Sequence, residues 1–97
     1  MLPTNREPTH PGEILLKDFL EPMEITQKAF ASHLGWTYAK LNEIVHGKRG
    51  ITADSALALG DAFNMEAEFW LGLQQNWELW RALKKHKHVE PIYSEAA

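Results

Sequence analysis

Five histidines, at positions 10, 33, 46, 86 and 88, are the side chains best suited to hold a metal or move a proton. None has a Cys, His or Asp partner at ligand spacing on one helix face, and the chain has no cysteine. No nucleophile motif or phosphate-binding loop appears, so neither an enzyme nor a metal or cofactor site is expected. A different chemistry stands between Thr26 and Gly50, in TQKAFASHLGWTYAKLNEIVHGKRG. Asn42 has the amide geometry to bond adenine at N6 and N7, and Lys40 can donate to guanine or to a phosphate. Thr37 and Ala39 suit a thymine methyl, whereas Glu43 accepts only from an amino group such as cytosine N4. Tyr38 flanks the same face. Gln27 can hold a phosphate, and Lys48 and Arg49 follow where a flanking backbone would run. Lys28, Lys40, Lys48 and Arg49 against Glu43 leave this stretch a local surplus of three positive charges.

Two short helices must position these groups. Thr26 caps the first, which runs from Gln27 to Leu34 and stops at Gly35. Thr37 caps the second, whose Leu41, Ile44 and Val45 share one face, and Gly47 closes it. The turn between them is too short for a side-by-side pair, so a steep crossing is expected. The pattern is that of a helix-turn-helix, in which the second helix enters the major groove. A bland alternative, an exposed and solvated polar face, has to explain why caps, small residues and glycines all agree.

The rest of the chain fits one small all-α domain of 97 residues, long enough for a single core. Residues 1–9 read as a flexible arm and 86–97 as a flexible tail, leaving 10–85 as the folded domain. Pro11 and Glu13 suit the start of a helix that carries Ile14, Leu15, Phe19 and Leu20 and ends at Pro22. Met23 and Ile25 are expected to plug the core. Thr52 caps a fourth helix, with Ala56, Leu57, Leu59, Gly60 and Phe63 as its buried side. A fifth helix over 66–85 carries Trp70, Leu73, Trp77 and Trp80 at alternating steps of three and four. Trp70 is expected to anchor the core. Leu73, Trp77 and Trp80 are expected to form a dimerisation surface, because one helix-turn-helix touches only half a site. No apolar run approaches the ~20 residues of a membrane span, and the N-terminus lacks a signal-peptide core, so a cytoplasmic protein is expected. The net charge of −3 argues against a protein that coats nucleic acid indiscriminately.

HPGEIL at His10–Leu15, the helix-turn-helix, NEIVHGKRGITAD at Asn42–Asp54 and EFWLGLQ at Glu68–Gln74 together resemble the HigA antitoxin family. That family belongs to the lambda-repressor-like (XRE) class, and the resemblance covers residues 8–85. It implies a five-helix domain with the helix-turn-helix at helices 2 and 3. It also implies a homodimer that represses its own operon at an inverted repeat and neutralises a HigB-type mRNA-cleaving toxin. Carried onto this chain, the DNA-facing residues are Gln27, Thr37, Tyr38, Ala39, Lys40, Asn42, Glu43 and Lys48. Trp36 stands where many relatives have a small aliphatic residue, and His46 where many have Asn. Two other readings stay open: a stand-alone XRE-type repressor without a toxin, and a protein-binding module whose helix-turn-helix no longer meets DNA.

Overall fold

A computed structural model describes residues 7–93. The first helix, α1, opens over Pro11–Ile14 and continues unbroken as a π-helix over Leu15–Leu20. His10 caps it, its Nδ1 accepting from the Gly12 N–H at 2.9 Å. The sequence suggests an ordinary α-helix to Pro22; the wider winding of the second half is the difference. π-turns bring positions five apart closer to one face, and Leu15 and Leu20 are both fully buried. Beyond Glu21 the chain closes in a left-handed Glu24 (φ 56°), with the Ile25 N–H on the Leu20 carbonyl at 2.9 Å. This closure turns Ile25 inward and leaves Met23 54% exposed, so Ile25 packs on the core and Met23 does not.

The next three helices follow their threonines. Thr26 caps α2 (Gln27–Leu34) through the Ala29 N–H at 3.1 Å, and Thr37 caps α3 (Tyr38–Val45) through the Lys40 N–H at 3.1 Å. Between them Gly35 adopts φ 75°, which a Cβ would strain, and lets the Trp36 N–H return to the Ala31 carbonyl at 2.9 Å. Thr52 caps α4 (Ala53–Phe63) through the Ser55 N–H, and Asn64 ends it in the left-handed region. Leu57, expected on the buried side, is 57% exposed. The buried row is Ala56, Leu59 and Gly60, at steps of three and one, and Leu57 falls off that stripe. Gly60 is required by the turn that follows: a Cβ there would lie 2.7 Å from the Met65 carbonyl oxygen.

The longest helix, α5 (Ala67–Leu83), lies against α4 and the start of α1. Trp70 is fully buried, with Phe19 at 5.1 Å, Phe69 at 5.1 Å and Phe63 at 6.1 Å between ring centres. Leu41, Ile44 and Leu59 complete the core and are also fully buried. Leu73, Trp77 and Trp80 are half-buried on one side of α5. Trp77 meets the edge of the His10 ring at 4.7 Å and lies under Arg81, whose guanidinium is also 3.1 Å from Glu7. The more exposed apolar residues of the helix's second half are Leu79 and Leu83. Of the expected arm and tail, residues 1–6 and 94–97 lie outside the described residues, while 86–93 carry no helix and are exposed.

His10 is held between α1, α5 and the end of α3. Burial lowers its pKa below the ordinary 6.5, with Glu13 pulling weakly the other way. Its neutral form is the one that accepts from Gly12. Because the folded pKa is depressed, the contribution of His10 to stability is complete above the ordinary pKa and is lost as pH falls below it. The melting temperature is therefore expected to drop between about pH 7 and 5. His10→Asn, a non-titrating cap, should flatten that part of the profile in thermal melts, and an unchanged slope would free His10 of the role.

Candidate nucleic-acid interface

The start of α2 and the outer side of α3 form one surface. Asn42, in the middle of α3, donates through Nδ2 to the Gln27 Oε1 at 3.2 Å and to the Tyr38 hydroxyl at 3.4 Å. That network uses neither the Asn42 side-chain oxygen nor the Gln27 amino group, an acceptor and a donor of the kind that an adenine N6–N7 edge complements. Thr37, Tyr38 and Ala39 are exposed around it, and Lys28 is exposed on α2. The structure thus brings Gln27, Tyr38 and Asn42 together as a braced unit, a contact that the sequence reading of Asn42 as one of several base readers did not include.

Two other members have intramolecular partners. Glu43 forms an ion pair with Arg49 at 2.7 Å, and its backbone carbonyl accepts from the Lys48 and Arg49 N–H groups at 2.8 and 3.2 Å. Its carboxylate therefore holds the loop after α3 as well as facing outward. Lys40 lies with its ammonium 4.3 Å from the centre of the Trp36 ring. A cation over an indole is favourable, so Trp36 gives Lys40 a preferred direction, towards the α2–α3 turn. His46 Nδ1 donates to the Asn42 carbonyl at 2.8 Å, which closes the last turn of α3. Among the described residues Lys28, Lys40 and Lys48 stand outside any ion pair.

Two positioning residues were not legible as such. Gly12 touches the α3 backbone so closely that a Cβ would fall on the Ile44 carbonyl. Gln74 is buried on α5, accepts from the Ile51 N–H at 2.8 Å and donates to Glu78 at 2.8 Å. It seats the chain directly after Lys48 and Arg49, and Gly50 leaves room for it. A polar residue on the inward face of an apolar helix was the one available signal. Among the described residues, no cluster of metal-binding side chains occurs and no helix is long and apolar enough to cross a membrane.

Among the described residues, five helices with a capped, glycine-turned α2–α3 pair presenting a polar outer face define a lambda-repressor-like helix-turn-helix domain. No protein-family model matches the chain. Antitoxin HigA-1 of Vibrio cholerae is 36% identical over 97 residues, covering 96% of this chain and 91% of the relative. The chain belongs to the HigA antitoxin family. Virulence-associated protein I of Dichelobacter nodosus is 44% identical over 86% of this chain and 77% of its own length. Among solved structures, Pseudomonas aeruginosa antitoxin HigA with its higBA promoter superposes with a TM-score of 0.82. It is 37% identical over 90% of this chain and all of the other. A further P. aeruginosa structure, of PA4674 with its operator DNA, gives a TM-score of 0.84 at 36% identity over 91% of this chain and 100% of that one.

Proposed function

We propose that this chain is the antitoxin of a HigBA-type pair: a cytoplasmic homodimer that represses its own operon and neutralises a HigB-type mRNA-cleaving toxin. The observation that carries the DNA half is the Gln27–Tyr38–Asn42 network on the exposed face of α3, flanked by unpaired lysines. It is supported by family relatives solved on operator and promoter DNA. Base reading falls to Asn42 with Gln27, Thr37, Tyr38 and Ala39, and phosphate contact to Lys28, Lys40, Lys48 and Arg49, with Glu43 bracing Arg49. The toxin half rests on family membership. Co-expression with the product of the adjoining reading frame tests it: rescue of growth and co-purification are expected, and neither would occur for a lone regulator. That second reading has support too, since the HTH-type regulator YbaQ of Escherichia coli is 32% identical over 95% of this chain and 81% of its own length.

We assign dimerisation to α5 from Leu73 onward. Leu73, Trp77 and Trp80 are half-buried there, and Leu79 and Leu83 remain 53% and 56% exposed beside them. Covering a large apolar side chain is worth roughly 1.5–3 kcal/mol. Trp77→Ala with Trp80→Ala should therefore yield a folded monomer with much weaker operator affinity, read by sedimentation and circular dichroism. A double variant that stays dimeric moves the interface elsewhere, and one that unfolds returns both indoles to the core. Because Trp77 also supports His10, Leu79→Glu with Leu83→Glu gives the same test without touching the core.

A further inference from the structure

The inward stripe of α5 runs on past the body it packs against. Trp70 is fully buried, Gln74 accepts from the Ile51 N–H, and Trp77 meets the His10 ring at 4.7 Å, so these three face the rest of the fold. Their steps of four and three continue to Arg81 and Lys84, with Lys85 beside them. The winding reaches that far: Lys84 keeps a right-handed helical backbone, and the Lys85 N–H bonds the Ala82 carbonyl at 3.1 Å. Beyond His10 the stripe is therefore cationic. Arg81, Lys84 and Lys85, with Ala82, line an open hollow of about 330 Å³.

Three contacts link Arg81 to the loop after α3. A Cβ on Gly47 would lie 3.8 Å from the His10 ring, His10 meets Trp77, and the Arg81 guanidinium is 4.8 Å from the Trp77 ring centre. Lys48 and Arg49, the proposed phosphate contacts, follow Gly47 directly. Between Glu78 and Glu90 the chain carries Arg81, Lys84, Lys85 and Lys87 and no acidic residue, on a chain whose net charge is −3. All four are exposed, and among the described residues only Arg81 has an ion pair, with Glu7. The helix dipole favours cations in the last turn of α5, but its effect fades within that turn and Lys87 lies beyond it. Arg81 and Lys85, one turn apart, repel each other until an anion comes between them.

We infer that Arg81, Lys84, Lys85 and Lys87 are a second phosphate-gripping element, which holds the backbone of the operator duplex while α3 reads its bases. The inference rests on the DNA-binding half of the proposed function. Duplex DNA carries one negative charge per about 1.7 Å of its axis, so a run of four cations meets a matching density of phosphates. Leu79 and Leu83 lie on the other side of α5, so the basic stripe and the proposed subunit contact do not compete for one face.

The test titrates the full chain with salt on the upstream inverted repeat and on a scrambled duplex, read by fluorescence anisotropy. Lys84→Gln with Lys85→Gln and Lys87→Gln should weaken both duplexes by the same factor, about tenfold or more at roughly 150 mM salt. The slope of log affinity against log salt should fall by about 0.9 for each lysine that meets a phosphate, roughly two to five per dimer. Lys84→Arg with Lys85→Arg and Lys87→Arg keeps the charge and should bind as wild type does. A glutamine variant that melts earlier but keeps the wild-type slope would reduce the lysines to helix capping and overturn the inference. So would an unchanged slope joined to lost affinity for single-stranded RNA, which would make RNA the partner of this segment. Loss on the operator alone, or a dimer that dissociates in sedimentation, would assign the lysines to base reading or to the subunit contact and overturn it too. In each of these cases wild-type binding leaves the DNA reading standing. A wild-type chain with no affinity for the repeat would remove that reading and the inference together.

Discussion

Gly12→Ala is expected to cost about 3 kcal/mol of stability, the upper range for forcing extra volume into a packed site. Gly12 is buried in the first turn of α1, and its missing Cβ is the space taken by the Ile44 carbonyl of α3. A flexible side chain could swing aside, but a carbonyl in the last turn of a helix cannot without moving that helix. The methyl group must therefore push α1 off α3, and His10, which caps α1 and supports Trp77, moves with it. For a chain of this length the loss corresponds to about 15 °C in melting temperature. Operator binding should weaken too, because the displaced helix is the one that carries Asn42. Thermal unfolding of Gly12→Ala within a degree or two of wild type would show that the α1–α3 contact is looser than described.

Asn42→Ala is expected to cost about 1–3 kcal/mol on the operator and to relax preference at the contacted base pairs. The size follows from the geometry. Gln27 and Tyr38 hold the Asn42 amino group, and its side-chain oxygen is the acceptor that this network does not use. Removing it loses one base contact and leaves Gln27 without its brace. Lys48→Ala should behave differently, weakening all sequences alike and lowering the salt slope by about one. Binding titrations on operator and base-substituted duplexes separate the two patterns. Unchanged affinity and preference in Asn42→Ala would mean that another side of α3 faces the groove.

The helix-turn-helix was legible because its determinants are local. Thr26, Thr37 and Thr52 each bond a backbone N–H three residues on, and Gly35 and Gly47 take the left-handed turns their positions require. Trp70 was legible as an anchor because it comes early in α5, close to the end of α4. What escaped depends on partners distant in sequence. The π-winding of Leu15–Leu20 answers to a core that only the assembled helices create. Met23 reads as core until the left-handed Glu24 turns it out, and nothing in the residue types announces that turn. Gly12 and Gln74 act across 32 and 23 positions of chain, on Ile44 and Ile51 respectively. At the interface, residue types marked Asn42 and Lys40 as readers, while the contacts that aim them, Gln27 on Asn42 and Trp36 under Lys40, needed the crossing of α2 and α3.

The central claim is that α3 reads a specific site as one half of a symmetric pair. It is tested most directly by fluorescence anisotropy with the full chain on the inverted repeat upstream of its own reading frame, against a scrambled duplex of the same composition. At about 150 mM salt the repeat should bind about a thousandfold tighter or more, as one dimer per repeat with half-sites about 34 Å apart. Equal affinity for the two duplexes would contradict it.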